Sequence, residues 1–190
     1  LFEIRGFRAR PAEAWPLIRD SFLALLAASE PNPAHLALAR MEAAGRLDCV
    51  VTQNIDGLHH KAGSRTVWEF HGHGRTCTCL DCGEATATEA LDLDRLPPPC
   101  PACGGTIKPD FVFFGEPIPE EPARQSMLAA RRAHAVIVVG ASGEVAPANR
   151  IPFAAKAAGA AVIEVNPEPT WYTERATDVF LQGPAGARSE

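Results

Sequence analysis

Two pairs of cysteines constrain the fold of this chain more than any other feature of its sequence. Cys79-Leu-Asp-Cys82 and Cys100-Pro-Ala-Cys103 are C-x2-C pairs separated by seventeen residues, a spacing typical of a four-thiolate zinc site. Each pair encloses a sharp turn, so both of its thiolates can reach one ion. Four thiolates complete the coordination shell, which indicates a structural ion and places any chemistry elsewhere in the chain.

Other interpretations of the cysteines remain open at the level of sequence. Cys77 lies two residues before Cys79, so a Cys77/Cys82 pair is conceivable, but it would break the two-residue knuckle. A thioredoxin-like redox motif would need only one C-x-x-C. We therefore expect one structural zinc per chain and a spare thiol at Cys77. The predicted ligands are Cys79, Cys82, Cys100 and Cys103.

On both sides of the cysteine region, patterns typical of helices alternate with patterns typical of strands. The apolar runs are short and continuous, which predicts a parallel sheet with helices on both faces, a Rossmann-like α/β fold. Gly45 is expected to end the first of these helices. The predicted helices are 31–45, 119–133 and 149–158, and the predicted strands are 48–52, 66–70, 135–139 and 161–165, with 135–139 expected to be fully buried.

The predicted organisation is one Rossmann-like domain interrupted by a small lobe. Residues 75–108 contain all four proposed ligands and the rigid run Pro97-Pro98-Pro99, and we interpret them as a zinc-ribbon insertion. Residues 1–74 and 109–190 would form the Rossmann-like domain, with a helical part of the small lobe near 1–45. A chain of 190 residues, 46% of them hydrophobic, can bury a core of this size.

Charge and hydropathy exclude several classes of function. The chain has 18 Lys and Arg against 23 Asp and Glu, without long runs of either sign, so direct nucleic-acid binding is not expected. Its acidity favours a basic partner such as a lysine-bearing peptide. No apolar stretch approaches the roughly 20 residues of a membrane span, and the first residues do not resemble a signal peptide. We expect a cytoplasmic protein, with a monomer as the expectation for an oligomeric state that the sequence leaves open.

Polar or small residues follow each of the four predicted strands. Thr52–Asp56 follow the first strand, His71 the second, Gly140–Gly143 the third and Asn166–Glu168 the fourth. Ligands bind beyond the carboxyl ends of parallel strands, so these residues predict one site. A small-residue loop is weak evidence alone, but together with Asn166 it favours a nucleotide, although G-x-G-x-x-G is absent.

Six motifs in a fixed order resemble the sirtuin family of NAD-dependent protein lysine deacylases. They are TQNIDGLHHKAG, EFHG, the two cysteine pairs, IKPDFVFFGE, VVGASGEVAPA and IEVNPEPT. The resemblance extends from about Pro31 to about Ala185. The strand and Gly-Ala-Gly phosphate loop with which sirtuins begin have no counterpart in Leu1–Asp20, so we expect that segment to be missing here and assign the activity to the complete protein.

The resemblance implies an acyl transfer from lysine to ADP-ribose that releases nicotinamide and O-acyl-ADP-ribose. His71 would be the general base toward a ribose hydroxyl, a role that suits an imidazole because it changes protonation state near neutral pH. Asn54 would hold the ribose and a water molecule, and Asp56 would bind the nicotinamide carboxamide. From the residues alone, Asn-x-Asp after a strand is more typical of an Asx-turn or a cap for a helix at 57–61, and both roles can coexist.

The resemblance also assigns the remaining site residues and an acyl preference. Sirtuins that prefer succinyl- or malonyl-lysine carry a Tyr-x-x-Arg pair on the helix that corresponds to 15–26, and this chain lacks it, which favours acetyl or a longer apolar chain. The cofactor-binding residues would be Gln53, Asn54, Ile55, Asp56, Gly140, Ala141, Ser142, Asn166, Pro167, Glu168 and Ala185, and the substrate-binding residues Val112, Phe113, Phe114, Gly115 and Glu116.

Two other functions fit parts of the same pattern. A mono-ADP-ribosyltransferase or NAD hydrolase could use the same scaffold, but the presence of His71 favours deacylation. A non-catalytic zinc-ribbon and nucleotide-binding interaction module would bind peptides without consuming NAD.

Overall fold

The computed structural model describes residues 2–186 of the chain. Within this range each of the three predicted helices and four predicted strands has a counterpart. The helices are α1 (Ile4–Ala9), α2 (Pro11–Leu17), α3 (Ala24–Ala28), α4 (Pro33–Ala43), α5 (Leu58–Lys61), α6 (Glu120–Arg132) and α7 (Arg150–Ala157), with a π-helical stretch, Ile18–Leu23, between α2 and α3. The strands are β1 (Val50–Thr52), β2 (Val67–Glu69), β3 (Gly72–Cys79), β4 (Ala85–Ala87), β5 (Ile107–Phe111), β6 (Ala135–Val139), β7 (Ala161–Asn166) and β8 (Val179–Gln182).

The described residues form two compact units. The first unit contains residues 2–30, 52–58 and 71–119, and the second contains 31–51, 59–70 and 120–186. In the first unit, β3 begins at Gly72 and β5 ends at Phe111, so their sheet extends beyond residues 75 and 108. The domain boundaries that we drew from the sequence stay a prediction.

The first unit is built on an antiparallel sheet with the order β4-β3-β5. Trp15 and Phe7 are fully buried in its core together with Ile107. The indole Nε1 of Trp15 donates a hydrogen bond to the Ile107 carbonyl oxygen at 3.1 Å, so the polar atom of this large side chain keeps a partner after burial. This bond joins helix α2 to strand β5.

The second unit contains a parallel sheet with the order β6-β7-β8. Helix α7 lies between β6 and β7 along the chain, as a crossover between parallel strands requires. The predicted parallel sheet of an α/β fold is therefore confirmed. Strands β1 and β2 form a separate two-stranded sheet.

The full burial that we predicted for strand Ala135–Val139 is wrong. Val138 is buried, but Ala135 is exposed and 37% of Ile137 remains accessible. Among the described residues β6 is an edge strand with β7 as its neighbour, whereas a continuous apolar run is typical of a strand inside a sheet.

The predicted helix at 31–45 corresponds to α4, and local interactions explain both of its ends. The Asn32 Oδ1 accepts hydrogen bonds from the main-chain nitrogens of Ala34 and His35, and Pro33 occupies the first turn, which stabilises the helix start. Gly45 has a φ of +66° after the last turn, a conformation that a glycine adopts without strain. None of the helices in residues 2–186 is both long and apolar enough to cross a bilayer.

Candidate active site and metal centre

A cavity of about 530 Å³ in the first unit contains the predicted catalytic residues. Gln53, Asn54, Ile55, Asp56 and His71 form its polar end. The rest of the wall is apolar and consists of Phe2, Phe22, Leu25, Leu26, Phe111, Val112, Phe113 and Phe114. Among the described residues that line this cavity, Asp56 is the acidic one and none is a lysine or an arginine.

The His71 ring is oriented by a main-chain carbonyl. Its Nδ1 lies 3.2 Å from the carbonyl oxygen of Gln53. A carbonyl oxygen only accepts hydrogen bonds, so Nδ1 must carry the hydrogen. In the neutral ring Nε2 then holds the lone pair that a general base uses. The same segment that follows β1 therefore supplies cavity residues and sets the tautomer of His71.

The main chain at His71 is fixed by its neighbour Gly72. Gly72 has a φ of +70°, and a Cβ at this position would lie 2.1 Å from the Asp110 carbonyl oxygen. No side chain fits this approach between β3 and β5. The Val112 nitrogen also donates to the His71 carbonyl oxygen at 2.8 Å. The His-Gly sequence thus holds the imidazole next to the segment 111–114 of the cavity wall.

The polar turn after β1 is held by its own side chains. The Asn54 nitrogen donates to Thr52 Oγ1 at 3.1 Å, and the Leu58 nitrogen donates to Asp56 Oδ1 at 3.0 Å. Asp56 therefore caps α5, the structural role that we weighed for it from the sequence. Its carboxylate still lines the cavity, so capping and ligand binding are compatible.

A second cavity, of about 340 Å³, lies in the second unit at the carboxyl ends of β6 and β7. Its lining consists of Gly140, Ser142, Asn166, Pro167, Glu168, Pro169 and Thr170. Asn166 is 4% exposed. Loops at the carboxyl ends of parallel strands are where α/β proteins bind nucleotides.

Beneath this second cavity lies a fully buried carboxylate, Glu164 of β7. Its Oε1 accepts hydrogen bonds from Asn166 Nδ2 at 3.0 Å and Thr170 Oγ1 at 2.5 Å. Its Oε2 accepts from Thr173 Oγ1 at 2.9 Å and Thr177 Oγ1 at 2.7 Å. Desolvation alone would raise the pKa of Glu164, but these four hydrogen bonds together lower the pKa below its ordinary value. Glu164 is therefore ionised at neutral pH.

The four predicted zinc ligands converge in the first unit. The Sγ atoms of Cys79, Cys82, Cys100 and Cys103 all lie within 4.8 Å of one another. Cys79 Sγ is 3.6 Å from Cys103 Sγ, and Cys82 Sγ is 3.7 Å from Cys100 Sγ. A tetrahedral zinc with Zn–S bonds of about 2.3 Å requires sulfur separations of about 3.8 Å. Four thiolates at these separations fit a closed, structural zinc site.

Cys77 lies outside this cluster, as expected for a spare thiol. Its sulfur is 3.5 Å from Thr88 Oγ1, and burial raises the pKa of this thiol to about 11. The structure therefore favours Cys79 over Cys77 as the partner of Cys82.

Comparison with known proteins identifies the family. The model of the Sir2 family matches residues 1–147. The chain is 43% identical to an NAD-dependent protein deacetylase 1 of Pyrobaculum aerophilum over 186 residues, which cover 97% of this chain and 72% of that protein. The chain belongs to the Sir2 family. The resemblance to sirtuins that the motifs carry is therefore confirmed.

Other sirtuins agree with this assignment. An NAD-dependent protein deacylase of Aeropyrum pernix is 47% identical over 146 residues, 77% of this chain and 59% of that protein. A solved structure described as Sir2 with p53 peptide and NAD+ is 31% identical, with a TM-score of 0.91 over 97% of this chain and 78% of that one. Another, described as Sir2 bound to acetylated peptide, has the same TM-score, identity and coverage.

The structure divides the predicted sirtuin site residues between the two cavities. The first cavity contains Gln53 to Asp56, His71 and Val112 to Phe114, and the second contains Gly140, Ser142 and Asn166 to Glu168. Among the described residues, Ala141, Ala185, Gly115 and Glu116 line neither cavity. Ala141 still contacts the site, because its carbonyl oxygen is 3.5 Å from Asn166 Nδ2.

Sequence reasoning missed the apolar wall that Phe22, Leu25 and Leu26 contribute to the first cavity. It also missed the buried charges that support both cavities. In the first unit, the Lys108 Nζ donates to the carbonyl oxygens of Pro109 at 2.6 Å and Phe111 at 2.9 Å. The available signals were a lysine directly after Ile107 in the motif IKPDF and a glutamate, Glu164, inside the apolar run AVIEV.

Lys108 of strand β5 is paired with Glu116, which belongs to the segment predicted to bind substrate. The two charges are 3.1 Å apart, with 10% of the Lys108 and 19% of the Glu116 side chain exposed. Glu116 Oε2 also accepts a hydrogen bond from the Phe113 nitrogen at 2.8 Å. Glu116 therefore holds the main chain of Phe113, which lines the first cavity.

We expect Lys108→Met to lower the free energy of unfolding by about 3 kcal/mol, because it removes a buried cation that bonds to two carbonyl oxygens and leaves the partly buried Glu116 carboxylate without its partner. Urea unfolding followed by tryptophan fluorescence measures this loss. Lys156→Met is the matched control, since the Lys156–Asp178 pair is 39% and 41% exposed and should contribute less than about 1 kcal/mol. Equal losses in the two variants would contradict a special role for the buried pair.

Proposed function

We propose that this protein is an NAD-dependent protein lysine deacylase, with deacetylation as its main reaction. The observation that carries the proposal is the position and hydrogen bonding of His71. Its Nδ1 donates to the Gln53 carbonyl oxygen, its Nε2 holds the lone pair of a base, and it shares one cavity with Asn54, Asp56 and a long apolar wall. Relatives named NAD-dependent protein deacetylase or deacylase support the proposal.

In this proposal the polar end of the first cavity binds the nicotinamide ribose. Asp56 would accept a hydrogen bond from the nicotinamide carboxamide, and Asn54 would hold the ribose and a nearby water molecule. NAD supplies an anomeric carbon to which the acyl-lysine amide oxygen can bond as nicotinamide leaves. His71 Nε2 then removes the proton from a ribose hydroxyl, which attacks the acyl carbon. Water completes the release of lysine, and the acyl group remains on ADP-ribose.

The apolar wall fits a neutral acyl-lysine. The first cavity is surrounded by carbon atoms of Phe22, Leu25, Leu26 and Phe111 to Phe114. An acetylated lysine carries no charge, whereas a free lysine would lose its hydration without gaining a partner here. The exposed segment at Phe114 would meet an extended peptide through main-chain hydrogen bonds, which depend little on peptide sequence.

We expect acetyl-lysine peptides to react with a kcat/KM at least about 100-fold higher than succinyl-lysine peptides. The part of the lining that the structure describes contains no lysine or arginine to pair with a succinyl carboxylate, and Asp56 would repel it. Burying an unpaired carboxylate costs several kcal/mol, and about 2.7 kcal/mol already corresponds to 100-fold. Rates for matched acetyl, butyryl and succinyl peptides measure the preference. Comparable rates for the butyryl and acetyl peptides would agree with an apolar channel, and faster succinyl turnover would contradict it.

The function itself is tested by following the products. The protein, incubated with NAD and an acetyl-lysine peptide, should form nicotinamide, deacetylated peptide and O-acetyl-ADP-ribose in equal amounts. ADP-ribose attached to protein without deacetylation would instead indicate a transferase. Free ADP-ribose without peptide turnover would indicate a hydrolase, and peptide binding without NAD consumption would indicate an interaction module.

A further inference from the structure

The buried Glu164 carboxylate decides which atom of the Asn166 amide faces a ligand. An ionised carboxylate accepts hydrogen bonds and donates none. The atom of Asn166 that lies 3.0 Å from Glu164 Oε1 must therefore be the amide nitrogen, Nδ2. The same nitrogen lies 3.5 Å from the Ala141 carbonyl oxygen, another acceptor. Both acceptors favour this orientation, and the shorter bond, to the charged carboxylate, is the stronger of the two.

Because Nδ2 faces the Glu164 carboxylate and the Ala141 carbonyl oxygen, Oδ1 is the atom of Asn166 that faces the second cavity. Glu168 lines the same cavity and is exposed. The two side chains supply acceptor oxygens, and one of them carries a negative charge. Ribose hydroxyls are donors and complement this arrangement, whereas a phosphate group brings acceptor oxygens and negative charge.

We propose that Glu164 is a positioning residue that locks the Asn166 amide with its oxygen toward the second cavity, so that the cavity selects a ribose with free hydroxyls over a 2′-phosphorylated ribose. This inference rests on the proposed function, and it takes the second cavity as the site of the adenosine-side ribose of NAD, because its residues lie at the carboxyl ends of parallel strands. Glu164 touches no ligand in this role and acts through Asn166. The three threonines that donate to Glu164 belong to the loop after β7 and hold this loop against the carboxylate.

The test compares the binding of ADP-ribose and 2′-phospho-ADP-ribose by calorimetry. The parent protein should bind ADP-ribose at least about 100-fold more tightly, because the added dianion meets two acceptors. Glu164→Gln provides an amide that can donate, so the Asn166 amide can flip and present Nδ2. The ratio of the two affinities should then fall about tenfold or more, with weaker ADP-ribose binding and stronger binding of the phosphorylated analogue.

The matched control is Thr177→Val, which keeps the side-chain shape. It removes the 2.7 Å hydrogen bond to Glu164 Oε2 and leaves the Oε1 bond to Asn166 in place. This variant should lose stability while keeping the parent affinity ratio. If Glu164 had only a structural role, Glu164→Gln and Thr177→Val would both lose stability and keep the parent affinity ratio. An unchanged affinity ratio in a folded Glu164→Gln protein would therefore overturn the proposal.

A second variant covers the case in which Glu164→Gln does not fold. Asn166→Ala removes the amide but leaves Glu164 with its three threonine donors, and its affinity ratio should also fall about tenfold. A parent ratio in Asn166→Ala would reject the selection by Oδ1. If the parent protein binds ADP-ribose but Glu164→Gln or Asn166→Ala keeps the parent affinity ratio, only this inference is wrong. If the parent protein binds neither ADP-ribose nor 2′-phospho-ADP-ribose, the proposed function is wrong as well.

Discussion

Replacing His71 by asparagine should reduce deacylation by about 100- to 10,000-fold, the usual contribution of a general base. The amide nitrogen of the introduced side chain can still donate to the Gln53 carbonyl oxygen as His71 Nδ1 does, so the local structure should survive while the base is lost. Nicotinamide departs before the proton transfer in the proposed reaction. The exchange of labelled nicotinamide into NAD should therefore persist within about tenfold of the parent rate.

The comparison of the two rates separates a base from a structural residue. His134→Asn is the matched control, because His134 lies in the second unit, outside the first cavity, and both of its rates should equal those of the parent. If deacylation continued at the parent rate in His71→Asn, His71 would not be the base. If deacylation and exchange disappeared together, His71 would serve binding or folding instead.

The sequence predicted the α/β architecture because strand and helix patterns are local. The predicted strand 135–139 matches β6 in both bounds, and the predicted helix 119–133 contains α6. Burial is not local, since it depends on which strands become neighbours. Ile137 belongs to an edge strand and remains 37% exposed, which no property of AVIVV itself could indicate.

The motifs predicted His71 and Gly72 as a pair, but only the packing gives the reason for the glycine. The Asp110 carbonyl oxygen occupies the place of a Cβ at Gly72, and Asp110 lies almost forty residues away along the chain. The contribution of Lys108 was hidden for a related reason. Its partners, Glu116 and the Phe111 carbonyl oxygen, come together only when the chain turns after β5.

Glu164 illustrates what a single sequence can and cannot reveal. A glutamate inside the apolar run AVIEV is unusual, because an isolated buried carboxylate is unfavourable. That signal was present, but the compensating donors Thr170, Thr173 and Thr177 belong to an irregular loop. Threonines in a loop are common, so their convergence on one carboxylate required the structure.

Loss of a zinc ligand should unfold the lobe around the cysteine cluster. In Cys79→Ser or Cys103→Ser the zinc content should fall from about one per chain to near zero, and protease should cut within residues 75–108. Zinc-finger peptides gain about 10–16 kcal/mol from their metal, far more than this small sheet can replace by packing. Metal analysis together with limited proteolysis measures both effects, and deacylation should be lost indirectly because β3 begins at Gly72, next to His71.

Cys77→Ser provides the control that decides between a metal site and a general need for thiols in this core. Cys77 is fully buried two residues from Cys79, yet its sulfur lies beside Thr88 and outside the four-sulfur cluster. This variant should retain about one zinc and resist protease, with a modest loss of stability, since a hydroxyl at this position can still bond to Thr88. Retained zinc in Cys79→Ser combined with loss in Cys77→Ser would contradict the ligand set, because it would mean that Cys77 takes the place of Cys79 in the coordination shell.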